Sequence, residues 1–205
     1  MVNRIAQPVI VRSHHVVRPN FDVYFPIVEG GPNLQAQQTI NARLMQEMQK
    51  LLASPYPPGT PAPPPMYTGG FELKTNERNV LSISLIMYNY TGGAHGMTYI
   101  KSLTFDIQTG REYALADLFK PNSGYVVKIN TDIRAQIAAR QLPLLGEFTG
   151  IKPDQDFYIA DKALVIYFQL YDLVPYVYGF PAFPISVYYL QNEVIEDGPF
   201  GRMIG

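Results

Sequence analysis

Residues 80–90 carry the pattern that most restricts the fold, because apolar and polar side chains alternate along them. Side chains that alternate with a period of two point to opposite faces of a β-strand, whereas a helix would scatter them around its axis. The segment therefore predicts a strand with one apolar face, and the fold must supply a core on that side. The apolar positions are Leu81, Ile83 and Leu85, and the polar positions between them are Ser82 and Ser84.

Extended segments are expected on both sides of this strand, because valine, isoleucine and aromatic residues cluster between turn residues. The turn "TNERN" precedes it, and "DIQTGREY" predicts a tight hairpin with Gly110 at a position that needs positive φ. The other predicted strands lie within residues 5–28, 66–76, 97–107, 156–162, 163–174 and 183–191.

Two longer segments have helical periodicity instead. In residues 33–53 the apolar positions Ile40, Leu44 and Met48 recur every four residues, and Asn33 is a suitable N-cap. In residues 122–140 the same spacing places Ile129, Ile133 and Ile137 on one face, with Asn122 or Ser123 as the expected cap. A shorter helical turn is expected at "ALADLF".

Strands in hairpins together with two amphipathic helices predict an α+β fold with antiparallel sheets. We expect two intertwined modules, residues 1–75 and 76–205. A proline-rich insert at 54–65 interrupts the first module, since "PYPPGTPAPPP" cannot form a helix or a central strand. A stiff polyproline II connector is the favoured interpretation, and a ligand for a proline-reading domain is the alternative.

Composition excludes several classes of function. The chain has no cysteine, which excludes disulfides, thiolate metal sites and cysteine nucleophiles. Its net charge of −1 and its lack of a basic stripe argue against nucleic-acid binding. No apolar run approaches the roughly 18–20 residues that a membrane-spanning helix needs. Pro8, Arg12 and two histidines interrupt the first thirty residues, so no signal peptide is visible, and a chain complete as given would be cytoplasmic.

The segment "NYTGGAHG" at residues 89–96 raises the main functional question. Gly92, Gly93 and Gly96 predict a sharp bend between two strands, at positions that need positive φ or a close backbone approach. His95 would then be a structural or ligand-contacting residue on that bend. The alternative is a hydrolase in which His95 acts as a base beside a nearby carboxylate.

No complete catalytic or metal-binding set accompanies His95. His14 and His15 are adjacent on a predicted edge strand and would point to opposite faces, so they cannot share one metal. No metal site and no cofactor are therefore predicted. Acid pairs for glycoside cleavage would have to come from polar, loop-like stretches: Asp154 with Asp156, or Glu193 with Glu196 and Asp197.

Three stretches resemble a known family in the correct order. Residues 90–119, "YTGGAHGMTYIKSLTFDIQTGREYALADLF", and residues 156–186 resemble RsiV-like extracytoplasmic domains, and "FDVYFPIVEGGPNLQAQQTIN" resembles the module that precedes such domains. The resemblance implies an exported or envelope-associated bacterial domain. In this family some domains are lysozyme-binding sensor parts of anti-sigma factors, and others precede the catalytic domain of PdaC-type peptidoglycan deacetylases. The transmembrane and sigma-binding segments of the first type and the deacetylase domain of the second are not recognisable in this sequence.

A noncatalytic binding or sensing module of the bacterial envelope is therefore the expected function, with a lysozyme-like protein or a cell-wall glycan as ligand. No catalytic residues are carried over from the family. The segment "PYVYGFPAF" offers the favoured contact surface, because alternate aromatic residues could share one face. The candidate ligand-binding residues are His95, Tyr176, Tyr178 and Phe180.

Overall fold

The computed structural model describes residues 7–53 and 64–204, and it confirms an α+β fold with two sheets and two helices. Residues 54–63 of the proline-rich insert lie outside the described residues. The strands are β1 (Ile10–Arg18), β2 (Phe21–Glu29), β3 (Met66–Glu77), β4 (Val80–Tyr90), β5 (Met97–Asp106), β6 (Phe157–Ala160), β7 (Ala163–Tyr167) and β8 (Ala182–Ser186), and the helices are α1 (Leu34–Leu51) and α2 (Tyr125–Arg140).

The larger sheet has the strand order β1-β2-β3-β4-β5, and the smaller has the order β6-β7-β8. Neighbouring strands are antiparallel except β2 and β3, which pair in parallel at residues 21–23 and 67–69. This pair departs from the all-antiparallel expectation because α1 lies in the connection between them, as in a βαβ crossover. The hairpin between β3 and β4 turns at Arg78 and Asn79, which have φ of 51° and 63°.

Helix α1 packs its apolar stripe on one face of the larger sheet. Ile40, Leu44 and Met48 are buried there against β-strand residues such as Leu81 and Phe105. The helix begins after Asn33, whose side chain accepts hydrogen bonds from the first-turn N–H groups, as predicted. Gly110 has φ of 76° and lies against Ala36 of α1, so the 106–112 hairpin is held close to the helix start.

A second core lies between α2 and the smaller sheet. Ile129 and Ile133 are fully buried in it, and Ile137 is partly buried. The predicted cap of α2 is wrong, because neither Asn122 nor Ser123 occupies the N-cap position. Gly124, with φ of 75°, occupies it, and no side chain caps the helix there. Asn122 also has positive φ, and the Ser123 hydroxyl is buried without a partner. The chain therefore enters α2 through a backbone turn in place of a side-chain cap.

The polar face of β4 is buried. The alternating sequence pattern alone would predict that this face is exposed to solvent. Ser82 and Ser84 bond across the strand pair to Thr104 and Ser102, with oxygen–oxygen distances of 2.9 and 2.8 Å. The edge strand β6 of the smaller sheet packs against this face. We call this layer of buried hydroxyl groups between the two cores the hydroxyl seam.

Three side-chain carboxamides bond backbone groups of the larger sheet at positions without a neighbouring strand. Each bonds both the N–H and the C=O of one strand or strand-end residue, as a neighbouring strand would. The pairs are Asn41 with Val28, Asn76 with Val9, and Gln169 with Ile100. Donor–acceptor distances in these pairs lie between 2.7 and 3.2 Å.

Except for Val80, which packs in the second core, the buried residues of the first core end at Ile107 and those of the second begin at Leu115. The division into modules after residue 75 stays a prediction, and that position falls within β3. Among the described residues, neither helix is long and apolar enough to cross a membrane.

Candidate functional site

The bend between β4 and β5 is built from glycine conformations. Gly92 and Gly93 have φ of 99° and 92°, in the region that glycine adopts most readily. Gly96 is needed for a different reason, because a side-chain carbon there would overlap the Asn89 carbonyl oxygen and the Tyr88 ring. The Gly96 N–H donates to the Tyr88 hydroxyl at 3.2 Å. The bend therefore presents its residues in one defined shape at the end of the larger sheet.

His95 lies on this bend and stacks on Tyr176, which comes 81 positions later in the chain. The ring centroids are 4.3 Å apart and the ring planes differ by 23°. The carbonyl oxygen of Gly96 joins the two residues: it lies 2.9 Å from His95 Nδ1 and accepts a hydrogen bond from the Tyr176 hydroxyl at 3.3 Å. The structure thus brings together two residues that the sequence proposes separately as ligand contacts.

One further aromatic ring, that of Tyr171, contacts this stack, and Tyr178 follows Tyr176 two residues later in the chain. Tyr171, which has φ of 66°, lies 5.6 Å from Tyr176 between ring centroids. The exposed fraction is 48 % for Tyr171 and 55 % for Tyr178, and 83 % for Val177 between Tyr176 and Tyr178. We call His95, Tyr171, Tyr176 and Tyr178 the aromatic patch. It is a partly exposed surface on which the rings are held by the bend and by a short 3₁₀ turn at Tyr176–Tyr178.

Phe180, the fourth candidate, lies in a different place. It lines a cavity of about 150 Å³ between the larger sheet and the start of β8, which we call the Phe180 cavity. The cavity has an aliphatic floor and aromatic walls, with one ion pair beside it. Its other lining residues are Glu72, Lys74, Ser84, Ile86, Ile100, Tyr158, Tyr167 and Ala182.

The Phe180 cavity and the aromatic patch adjoin through β4. Ile86 of the cavity floor and Tyr88 lie two residues apart, on the same face of the strand. The Tyr88 hydroxyl accepts the Gly96 N–H at the base of the patch. The patch and the cavity are therefore joined by one strand face of the larger sheet.

Tyr167 fixes the inner wall of the cavity. Its hydroxyl accepts the Ser102 N–H at 3.0 Å and faces the Ile100 carbonyl oxygen at 3.5 Å. Burial, followed by the nearby negative charge of Asp156, raises the pKa of Tyr167 well above its ordinary value. The phenol therefore stays neutral and acts as a structural hydrogen-bonding group.

Two of the carboxylates considered for glycoside cleavage form ion pairs with lysine side chains. Asp156 bonds Lys101 at 2.7 Å, and Glu193 bonds Lys128 at 2.9 Å. Within residues 7–53 and 64–204, the contacts of His95 are the Gly96 carbonyl and the Tyr176 ring. The same ranges hold no group of three or more acidic or histidine side chains placed to bind a metal.

His14 and His15 lie on the edge strand β1, as expected. His15 stacks on Tyr24 with ring centroids 3.8 Å apart and bonds Asp22 at 2.7 Å. This second histidine–tyrosine stack is on the β1–β2 hairpin, and neither of its two residues lines the Phe180 cavity.

Sequence reasoning did not identify Tyr171, Ile86 and Ile100 as site residues. A signal for Ile86 is present in the β4 pattern. The face that carries Ser82 and Ser84 becomes apolar at Ile86 and aromatic beyond it. A change of polarity along one strand face indicates that two different surfaces contact that face.

Comparisons with known proteins agree with this architecture. Residues 116–188 match the family DUF3298, described as "Protein of unknown function", and residues 16–98 match the family described as "Deacetylase PdaC". No curated protein matches the chain. Both family matches confirm the resemblance drawn from the sequence motifs.

Two solved structures have the same fold. A member of the DUF3298 family from Bacteroides fragilis is 14 % identical with a TM-score of 0.66, over 98 % of this chain and 97 % of the other. A DUF3298 family protein from Pseudomonas aeruginosa is 16 % identical with a TM-score of 0.65, over 92 % and 94 %. Residues 116–188 thus match the DUF3298 family and residues 16–98 match the PdaC family, and the chain has the fold of the solved DUF3298 family proteins.

Proposed function

We propose that this protein is a noncatalytic binding module of the bacterial cell envelope, and that its ligand contacts the aromatic patch. The observation that carries the proposal is the stack of His95 on Tyr176, held by the shared Gly96 carbonyl at a partly exposed site. The ligand is an envelope-associated protein of the lysozyme type or a cell-wall glycan. The envelope location rests on the PdaC-type segment and on the sequence resemblance.

The form of the patch supports binding. Aromatic rings supply a large contact area and lose little conformational entropy when a ligand is bound. The His95 and Tyr176 rings are already oriented by each other and by Gly96, so less ordering remains when the ligand arrives. The glycine bend thus serves to present the rings.

The contacts of His95 also favour binding over hydrolysis. The hydrolase alternative needs a carboxylate beside the histidine base. His95 directs Nδ1 at a backbone carbonyl oxygen and lays its ring face on Tyr176, and no hydrogen bond or ion pair joins it to a carboxylate of the described residues. This arrangement suits a residue whose ring surface contacts a ligand.

Co-sedimentation with purified cell walls, run in parallel with binding to lysozyme, tests the proposal. We expect binding without release of soluble wall fragments. The double variant His95→Ala/Tyr176→Ala is expected to lose about tenfold or more in affinity, since two central aromatic contacts are removed. The matched control is His15→Ala/Tyr24→Ala, which removes the other histidine–tyrosine stack and should bind as the wild type does.

Two outcomes would contradict the proposal. Release of soluble fragments that disappears in His95→Ala would establish the hydrolase alternative. An equal loss of affinity in the two double variants would show that the aromatic patch is not the contact surface.

A further inference from the structure

The face of β4 and β5 toward the smaller sheet has its polarity reversed. Where the smaller sheet covers this face, the buried side chains are hydroxyl-bearing: Ser82, Ser84, Ser102 and Thr104. Further along this face the smaller sheet covers it only partly, and there the cross-strand pair Ile86 and Ile100 is apolar and half-buried. Water solvates hydroxyl groups well and apolar groups poorly. For stability alone, the hydroxyl groups would be expected at the half-buried positions and the apolar groups at the fully buried ones. The reversal indicates that the apolar part of this face contacts something beyond the described chain.

The Phe180 cavity lies over that apolar part. Ile86 and Ile100 form its floor, and Tyr158, Tyr167 and Phe180 form its walls. Its volume is about 150 Å³. A cavity of about this volume with apolar walls accommodates a group of the size of benzene. One leucine or phenylalanine side chain therefore fits the space.

Two of the hydroxyl groups that line the cavity, those of Ser84 and Tyr167, are already used. The Ser84 hydroxyl bonds Ser102 at 2.8 Å, and the Tyr167 hydroxyl bonds the backbone of β5. A sugar ring placed here would bury several hydroxyl groups without partners, at a cost in free energy for each. An apolar group has no such requirement, so the chemistry of the interior selects against a sugar.

Charged groups are confined to the β3 side of the cavity. Lys74 bonds Glu72, and its Nζ lies 4.6 Å from the centre of the Tyr158 ring. An ammonium and a carboxylate next to one another can bond the C=O and the N–H of a passing peptide unit. A polypeptide that inserts one side chain supplies both of these groups at the required place.

We propose that the Phe180 cavity binds one leucine- or phenylalanine-sized side chain of a partner polypeptide, whose backbone passes over Lys74 and Glu72. The inference rests on the proposed binding function and names its ligand class as a protein. The same partner covers the adjoining aromatic patch, so the cavity selects the side chain and the patch supplies additional contact area.

The test uses N-acetyl-leucinamide as the probe and the methyl NMR signals of Ile86 and Ile100 as the readout. We expect saturable shifts of both signals with this probe, and at least about tenfold weaker binding of N-acetyl-alaninamide, which lacks most of the apolar side chain. N-acetylglucosamine is titrated in the same way. Preferential binding of the sugar, or equal binding of the leucine and alanine probes, would overturn the proposal.

Two variants locate the probe. Ala182→Leu fills the cavity from its lining and should weaken binding of N-acetyl-leucinamide by about tenfold or more. Val127→Ser, at an exposed position of α2 outside the cavity lining and the aromatic patch, should leave binding of this small probe unchanged. Phe180→Ala removes one wall and provides a second test if Ala182→Leu does not fold. Unchanged affinity in a folded cavity variant would contradict the assignment.

These experiments distinguish a failure of the cavity assignment from a failure of the proposed binding function. If cell walls or lysozyme bind through His95 and Tyr176 while the leucine probe does not shift Ile86 or Ile100, only the side-chain assignment fails. If the probe enters the cavity but neither macromolecule binds, the cavity assignment stands and the envelope ligand must be another polypeptide.

Discussion

The Ser82 hydroxyl accepts the backbone N–H of Ile159 at 3.1 Å, and so joins the middle of one sheet to the edge of the other. The Thr75 hydroxyl completes the contact by donating to the Ile159 carbonyl oxygen at 2.9 Å. Both backbone groups of an edge-strand residue are thereby satisfied by side chains. The hydroxyl seam therefore performs the role that a further neighbouring strand would have for β6.

Replacement of Ser82 should reveal the energetic importance of this contact. Ser82→Ala leaves the Ile159 N–H and the Thr104 hydroxyl without their partner in a buried site, and should lower the free energy of unfolding by about 1–3 kcal/mol. Ser123→Ala is the matched control, since it removes a buried hydroxyl that has no partner. We expect it to be neutral or stabilising in urea unfolding. Equal losses in the two variants would contradict the role of the seam.

Removal of the Gln169 carboxamide should open the edge of β5. The side chain bonds both backbone groups of Ile100 and also donates to Asp156 at 2.8 Å. In Gln169→Ala, hydrogen exchange of the Ile100 amide should accelerate by about tenfold. Gln136→Ala, which removes a carboxamide from the surface of α2, should leave that amide unchanged. Unaltered exchange in Gln169→Ala would show that the strand edge does not depend on this side chain.

Asp106 should make stability depend on pH. Burial opposes its ionisation, but hydrogen bonds from Arg202 and from the Thr109 and Gln108 N–H groups outweigh burial and lower the pKa of Asp106. A carboxyl whose folded-state pKa is lowered stabilises above its unfolded pKa, and this stability is lost as pH falls through the folded value.

The test of this pH dependence compares Asp106→Asn with the wild type. The variant should be less stable by about 1–3 kcal/mol at neutral pH, and the difference should shrink below about pH 4. Asp154→Asn, at an exposed position, should show no such trend. A stability difference for Asp106→Asn that is constant from neutral to acidic pH would refute the assigned linkage.

The glycine bend should tolerate substitution unequally. Gly93→Ala has room for the added carbon but must adopt φ near 92°, so we expect a loss of about 1–2 kcal/mol. Gly96→Ala must also displace the Asn89 carbonyl or the Tyr88 ring, and should lose more, at least about 2 kcal/mol. Gly146→Ala, with free space around it and ordinary φ, is the control. The order of melting temperatures checks this ranking, and a lower value for Gly93→Ala than for Gly96→Ala would contradict it.

Local features of the fold could be predicted because their causes are local. Asn33 caps the helix that follows it, and the spacing of Ile40 and Leu44 determines which face of that helix is buried. The last part of the predicted strand 163–174 is wrong. β7 ends at Tyr167, and Gln169 turns to bond the edge of β5. Nothing in the local pattern distinguishes a glutamine within a strand from one that closes another strand.

The site depended on contacts between distant parts of the chain. His95 and Tyr176 were identified separately, each from its own loop, but their stacking required the path of all the chain between them. The burial of Ser82 likewise required β6, which lies 77 positions further on. Alternation in one strand shows that its two faces differ, and only the tertiary fold shows what covers each of them.

The hydroxyl seam also determines how the molecule should respond to mechanical load. Hydrogen bonds are directional and weaken steeply when they are bent or lengthened. The two cores are each closed by apolar packing, and polar contacts such as that between Ser82 and Ile159 join them. A force pulling the sheets apart would therefore load the bonds of the seam together with the other polar contacts between the halves, such as those of Gln169 with Ile100 and of Arg202 with Asp106. We expect the two halves to part along that plane while each keeps its own structure.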